Sequence, residues 1–454
     1  MESVRHVWNS LVFTLFKAVD IAPLAIFRVV FGLLLFLEGV GAVFTGWVRQ
    51  VFIEPEFTFS FIPFFPWLQP LPGEGMIYYY LLMGGVGILV MLGWYYRPAI
   101  VLYFCMWTFV YWMQKSSYNN HYYLLVILTG LFVVLPANGY FSIDVWRGAV
   151  KRQYFVPNWT RLTFMLLLLI VYTYAAIAKM QADWLAAKPV KLWFEAKADI
   201  FLVGPMLTKE WVQYTVAYGG VAFDLFFVPA VWWRRTRWWA LAAALFFHLF
   251  NSLVFQIGIF PYLMLATSVF FFSPASVRSF FFKNDKPVQS LKVWQHTDKH
   301  EKQLTCMLFL VCIALMLLLP LRHYSYPGNV NWTEEGHRMA WRMMLRHKYG
   351  KASFRVVFPD GEERILQPQE HLTHKQIAGI STRPDMTWQY AQYLKEKFRQ
   401  EGKGEVAVYA DVRASLNGRP LQPLIDPQVN LAGEPWHWFK SHDWIMPLRE
   451  KKVR

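Results

Sequence analysis

The chain has 454 residues, of which 56% are hydrophobic, 19% aromatic and only 17% charged, a composition too apolar for a soluble globule of this size and one that points to a polytopic membrane protein. The formal charge of +15 would suit nucleic acid, but the basic residues cluster in short loops between apolar runs, where they orient helices in a bilayer, so no nucleic-acid partner is expected. Cys105, Cys306 and Cys312 all sit inside apolar runs, without the spacing of metal ligands, and read as packing residues; no metal is expected.

Residues 1–20, "MESVRHVWNSLVFTLFKAVD", put Val7, Trp8, Leu11, Val12, Leu15 and Phe16 on one helical face and have no small-residue cleavage site, which predicts an interfacial amphipathic helix rather than a signal peptide. A transmembrane helix takes roughly 20 apolar residues. Such runs fall near 22–47, 75–95, 98–114, 121–140, 161–179, 214–233, 237–256, 259–273 and 304–321, about nine spans making a transmembrane domain over 21–321. The fold class predicted is mostly α, a polytopic membrane helix bundle with a small C-terminal α+β domain.

Between the first two spans, "EPEFTFSFIPFFPW" is aromatic and broken by proline, and is expected to lie in the outer membrane interface. Basic residues set the orientation. Arg97, then Arg147, Lys151 and Arg152, then Arg234, Arg235 and Arg237, then Arg278, Lys283, Lys286 and Lys292 fall in one set of loops, and Glu54, Glu56 and Glu74 in the other. This predicts a cytoplasmic N-terminus and places residues 322–454 in a periplasm or lumen, as for a protein of a bacterial inner membrane.

Residues 322–454 change character. "SFRVVFPDGEERIL" alternates around a Pro-Asp-Gly turn, "DMTWQYAQYLKEKFRQEG" has helical spacing and a terminal Gly, and "VAVYADVRASLNGRPLQPLIDP" runs as a strand into an Asn-Gly turn.

Ionisable groups inside spans are costly, so each one is a candidate site. Lys179 lies at the outer end of the fifth span, His121 with Asn119 and Asn120 at the outer start of the fourth, and His248 with Asn251 in the seventh. Taken singly, the lysine reads as a snorkelling anchor, "YNNH" as a helix cap and His248 as an interhelical hydrogen-bonding group. Asp224, in "AFDLFF", is a buried acid that reads either as a helix-packing contact or as an ion-pair partner. Together, three spans offer polar groups at one depth. "NWTEEGHRMAWRMMLRHKYG", 331–350, follows the last span; read as a helix it puts Trp341, Met344 and Lys348 on one face. Trp341, Met343 and Met344 suit a flat aromatic ligand, and Arg346 and Lys348 suit a carboxylate.

At these residues the chain resembles the vitamin K-dependent gamma-glutamyl carboxylases and their microbial relatives, the horizontally transferred transmembrane domain proteins. The matching stretches are "DIAPLAIFRVVFG", "KSSYNNHYYL", "AKMQADW", "FHLFNSLVFQIGIFPYLMLA" followed by "FFSP", "NVNWT", "AWRMM" and "SLNGRPLQPLIDPQVNL", spread over almost the whole length. The resemblance implies an enzyme that uses reduced vitamin K or a menaquinol, O2 and CO2 to convert protein glutamate to γ-carboxyglutamate, a carbon-carbon lyase with quinol epoxidase activity. In that family the residue at the Lys179 position is the base on the quinol. Oxygenation then generates a strongly basic alkoxide that takes the glutamate γ-proton, CO2 adds, and the quinone leaves as its 2,3-epoxide.

The resemblance also implies partners and roles: a glutamate-containing protein or peptide, membrane lipid and quinone. Lys179 and His121 are the expected catalytic residues. Asn120, Tyr172, His248, Asn251, Trp341, Met343 and Met344 are expected on the quinol, and His337, Arg346, Lys348 and Arg413 on the substrate carboxylate. At the edge of hydrocarbon, desolvation works against an ammonium, as a general base near neutrality requires. Asp183, four residues past Lys179, would oppose this on contact and is expected to point elsewhere. The animal family's second lysine before the base is Ala178 here, and His337 and Arg338 stand in a stretch that is tyrosine- and glycine-rich in animals. Two other readings stay open: quinol oxygenation or epoxidation without peptide carboxylation, and a non-enzymatic quinone-binding or transport protein.

Overall fold

The computed structural model describes residues 2–63, 65, 67–201, 203–285 and 298–449. Lys286 and Lys292 of the orientation argument, and Phe64 and Pro66 of the first loop, lie outside the described residues. Helices fall at all nine expected spans, but among the described residues six are long and apolar enough to cross a membrane: Ala22–Phe44, Gly75–Leu92, Trp159–Lys179, Glu210–Trp232, Arg237–Phe255 and His300–Ser325. The pair Phe260–Phe271 and Pro274–Phe281, bent by 111°, raises the number to seven if it counts as one span. The expected nine is therefore approximate, for two physical reasons. Asn120–Val134 has 15 residues, short of the roughly 20 a bilayer asks for, and Tyr96–Met113 carries an arginine, a proline and several tyrosines that dilute its hydropathy.

The first two spans pack closely because glycines face each other: a Cβ on Gly39 would lie 2.9 Å from the backbone nitrogen of Gly84, so a larger residue would push the helices apart. Around Trp159–Lys179, the most buried span, aromatic rings fill the bundle; Phe164 stacks on Phe270 at 4.2 Å with an interplanar angle of 2°. At the other end of the bundle from the C-terminal domain, strand β1 (Ala18–Asp20) pairs antiparallel with β2 (Phe155–Pro157), and Arg278 holds the Asp20 carboxylate. The N-terminal helix Glu2–Leu15 buries Leu15, and Phe16 just after it, beside Cys306, with Trp8, Leu11 and Val12 against them. Val7 is off that face and exposed. Of the cysteines only Cys306 packs in a core; Cys105 and Cys312 are exposed, because their positions face outward from their helices.

In the C-terminal domain a four-stranded antiparallel sheet runs in the order β4 (Glu363–Leu366), β3 (Lys348–Val357), β5 (Ala407–Leu416), β6 (Gln422–Pro423). The β3–β4 turn holds Gly361 at φ +88°, and β5 ends in Asn417 and Gly418 at φ +51° and +79°, the left-handed pair that an Asn-Gly turn supplies. Phe354, Val356, Val408, Ala410 and Val412 face the helix Pro384–Gln400 and are fully buried.

The first loop corrects one expectation. Its middle does not lie in the membrane interface: Phe59 is buried in the core of the C-terminal domain with Trp332, and Phe57 stacks on Tyr393 at 4.4 Å. Gln114 Oε1 accepts from the Phe59 N–H at 3.1 Å, and Gln376 donates to the Phe57 carbonyl. Both rings and backbone groups thus find partners, which lipid would not give the backbone, and the loop straps the domain to the bundle.

Candidate functional site

At the end of the bundle that carries the C-terminal domain, a cavity of about 770 Å³ opens between the spans Trp159–Lys179, Glu210–Trp232 and Arg237–Phe255, the start of Asn120–Val134 and the segment after the last span. His121, Tyr172, Lys179, His248, Asn251, Met343 and Met344 all line it, with Asp224, Trp184, Phe247, Phe255 and Phe260. A largely apolar wall with a few convergent polar groups is the usual form of a site for a small organic ligand.

Lys179 ends its helix, and its Nζ makes an ion pair with Asp224 Oδ2 across to the span Glu210–Trp232. Both side chains are buried, at 9% and 5% exposure, and Nζ also lies 5.6 Å from the centroid of Trp184. Of the alternatives for Asp224, the ion pair is the one observed, and Lys179 does not snorkel. Asp183 points away, to Arg419, Asn417 and Lys188. Those partners, against the opposing effect of burial, bring its carboxyl down to about 2.

His121 stacks on Phe260 with centroids 3.9 Å apart. Its neighbour Asn119 is the cap of the helix, accepting from the Tyr122 N–H at 2.7 Å. Tyr172 Oη and His248 Nε2 are 2.9 Å apart, and His248 Nδ1 is buried without a hydrogen-bond partner. Asn251 donates to the Phe247 carbonyl at 2.8 Å.

Two expected members of the quinol group are elsewhere. Asn120 donates to the Arg342 carbonyl at 3.3 Å and accepts from Tyr118 at 3.0 Å, so its amide fastens the 331–347 segment instead of facing the cavity. Trp341 is buried at 2% against Tyr123, 5.0 Å between centroids, behind the wall that Met343 and Met344 form. The segment itself is not the expected helix. After one turn, Val330–Thr333, the chain winds irregularly, with Glu334, Met339, Trp341 and Met344 all in the left-handed region at φ between 46° and 63°, a backbone cost met at functional sites. At Gly336, φ +68°, a Cβ would meet the His323 backbone at 2.6 Å, so the chain passes there only as glycine. The irregular path turns Arg342 and Arg346 into a polar layer, on Asn331 and Glu334.

That layer was not foreseen. Glu334 takes Arg346 at two oxygens, and Lys348 at 3.5 Å; His337 Nε2 lies 3.1 Å from Arg346. Asp385 accepts two bonds from Arg338 and a third contact from Lys115 at 2.8 Å. Gln181, from "KMQADW", accepts from Asn331, from "NVNWT", at 2.6 Å, and Asn331 accepts from Arg342 at 2.9 Å, so the separate sequence motifs meet in one network. Arg346 and Lys348, engaged with Glu334, and His337, engaged with Arg346, therefore do not line the cavity. Arg413 is remote from it: on the outer face of β5, exposed, paired with Asp411 at 3.2 Å. A one-residue offset along a strand reverses the face, and Arg413 falls on the solvent side.

The electrostatics of the layer are strongly positive. Burial, then the surrounding arginines, push the His337 imidazole well below its ordinary range, and Arg342 and Arg383 are each brought down to about 10, by burial first. For Asp385, burial alone would raise the carboxyl, but Arg338 and Lys115 hold it well below the usual carboxylate range. Burial outweighs Asp385 at Lys115 and Glu334 at Lys348, bringing each ammonium from 10.5 to about 8. From about pH 8 to 10.5 the folded state then binds fewer protons than the unfolded one, so these lysines make stability increase with pH in that window. The thermal midpoint of Lys115→Met, followed from pH 7 to 10, is expected to rise less than that of the unsubstituted protein; an identical slope would mean that Lys115 does not titrate there.

Against known families, residues 16–275 match the HTTM domain and residues 301–451 match the vitamin K-dependent gamma-carboxylase lumenal domain. No solved structure matches the chain. With the first match covering more than half of its length and the second most of the remainder, the chain belongs to the HTTM-domain family as a relative of the vitamin K-dependent gamma-glutamyl carboxylases.

Proposed function

We propose that this protein is an integral-membrane carboxylase that converts protein glutamate to γ-carboxyglutamate with CO2, O2 and a reduced naphthoquinone, releasing the quinone epoxide, with its cavity at the periplasmic side of a bacterial inner membrane. The observation that carries this reading is the buried Lys179–Asp224 pair inside an apolar cavity that His121 and two methionines also line. The residues fit a naphthoquinol: flat walls from Phe260 and Trp184, adaptable Met343 and Met344 beside them, and the polar side chains of His121 and Asn251 on the same lining. When bound, the quinol supplies the oxidisable ring whose reaction with O2 yields a base strong enough for a carbon acid.

The chain's own part is proton handling and exclusion of water. As Lys179 Nζ receives a proton from the quinol hydroxyl, it passes one of its own to Asp224 Oδ2, so the pair as a unit gains one proton. His121, fixed by its stack on Phe260, would hold a ring oxygen of the bound quinol, and Tyr172 sets the His248 ring by its hydrogen bond. Phe247, Phe255 and Val190 keep bulk water from the reacting face.

A second reading has an observation of its own. Glu334 already occupies Arg346 and Lys348, cations expected to meet a substrate carboxylate, which favours quinol epoxidation without peptide carboxylation. Purified protein given reduced vitamin K, O2, labelled bicarbonate and a glutamate-containing peptide decides between them. Label in the peptide is the expected result; epoxide without label would establish the second reading, and neither product would overturn both.

A further inference from the structure

At the end of the bundle opposite the C-terminal domain, an open cleft lies between the chain that follows the N-terminal helix, the start of the span Trp159–Lys179 and the helix Pro274–Phe281. Its lining carries four cations, Lys17, Arg161, Arg278 and Lys283, against one carboxylate, Asp20. Arg278 is already engaged, by that carboxylate and by the Asp285 carbonyl at 3.1 Å. The other three make no ion pair among the described residues. Arg161 is half-buried and fixed by two neutral groups, the Phe270 carbonyl at 2.7 Å and the Phe272 carbonyl at 3.5 Å, while Lys17 and Lys283 are exposed. Cations gathered in a cleft without counter-charge raise the local potential and favour an arriving anion.

The cleft sits at the depth of lipid headgroups. Lys17 to Asp20 lead directly into the span Ala22–Phe44, and Asn158 into the span Trp159–Lys179, so the lining lies where both helices enter the membrane. The helix Pro274–Phe281 turns by 111° from Phe260–Phe271 and runs across the bundle rather than along it, with Phe280 and Phe281 exposed. Trp238 and Trp239 are exposed at the same end, Trp238 with its ring 5.4 Å from that of Phe272, as aromatic side chains stand at a membrane interface. One fixed cation and two long, flexible ones, at this depth and beside exposed aromatic rings, match a phosphodiester that carries acyl chains. A soluble anion would gain nothing from the apolar surroundings.

We propose that this cleft binds the phosphate of an anionic phospholipid from the leaflet on that side, with Arg161 as the fixed contact and Lys17 and Lys283 closing on it from the two walls. The bound phosphate bridges the segment after the N-terminal helix to the chain just past the helix Pro274–Phe281, alongside the Asp20–Arg278 pair, so the lipid acts as a clasp between two elements far apart in sequence.

The test is native mass spectrometry of the full-length protein, stripped of lipid in detergent and titrated with phosphatidylglycerol or with phosphatidylcholine of the same acyl chains. The first phosphatidylglycerol is expected to bind at least about tenfold tighter than the first phosphatidylcholine, and millimolar inorganic phosphate to leave it in place. Lys17→Gln combined with Lys283→Gln changes two exposed side chains. It should weaken phosphatidylglycerol by about 25-fold, roughly fivefold for each lysine near an anionic headgroup, and leave phosphatidylcholine within about twofold. Arg234→Gln combined with Arg235→Gln, at the same end of the bundle but outside the cleft lining, should keep the preference. Equal affinity of the unsubstituted protein for the two lipids would overturn the proposal, as would an undiminished preference in the lysine variant. An equal loss in the Arg234, Arg235 variant would also overturn it, since the preference would then come from a diffuse surface potential. Displacement by inorganic phosphate would make the cleft a site for a soluble anion instead.

Discussion

Lys179→Ala is expected to lower quinol epoxidation by at least about 10³-fold, within the range that loss of a positioned general base costs. The single substitution does not decide the matter, because it leaves Asp224 charged and buried at 5% exposure without its partner, and breaking a buried pair from one side costs about 3–5 kcal/mol. An inactive Lys179→Ala is then open to the objection that the helix ends have moved. The double variant Lys179→Met, Asp224→Leu removes both charges together, and replacing a buried pair by apolar residues of similar volume is commonly neutral for stability or better. It is expected to melt within a few degrees of the unsubstituted protein, to bind oxidised naphthoquinone within about threefold in affinity, and still to produce no epoxide. Turnover within tenfold of normal in that variant would remove Lys179 from the chemistry.

How much of this was legible beforehand depended on whether the information was periodic. The spans, the β3–β4 hairpin and the Asn417-Gly418 turn follow from repeat patterns and turn chemistry, and the structure has them close to the expected positions. Lys179, His121, His248 and Asn251 were legible because a polar group inside an apolar run is conspicuous, and the structure brings all four to one cavity. The 331–347 segment was not. Its residue spacing permits a helix, but its path is decided by the contacts that Arg346 makes back to Glu334 and by partners more than 200 residues away, Asn120 on the Arg342 carbonyl and Tyr123 on Trp341. Lys115 and Asp385 escaped notice for a related reason. Each sits in a polar local context where a charge is ordinary, and only their meeting across 270 residues at 2.8 Å makes either one unusual. The first loop likewise read as interfacial from its aromatic content, which does not say whether lipid or a protein core takes the rings.

Asp385→Ala should be the most damaging single change outside the membrane-spanning helices. Asp385 is the carboxylate that Lys115 and Arg338 share, and Lys115 is only 6% exposed, so removing it leaves two desolvated cations facing each other in a layer that also holds Arg342, Arg346 and Arg383. The cost expected is about 3–5 kcal/mol. It falls on docking rather than on either core, since Lys115 belongs to the bundle and Asp385 to the domain helix Pro384–Gln400. Hydrogen exchange reads this directly. Amides in 334–346 and at the start of Pro384–Gln400 are expected to exchange about 10²–10³-fold faster in the variant, while the span Ala22–Phe44 keeps its protection. Because Met343 and Met344 on the same segment wall the cavity proposed for the quinol, the apparent KM for quinol should rise with the loosened docking, and adding Lys115→Met to Asp385→Ala should recover part of both by removing one of the stranded charges. Unchanged exchange in 334–346 would mean that the Phe57–Phe59 strap holds the domain in place without the ionic layer.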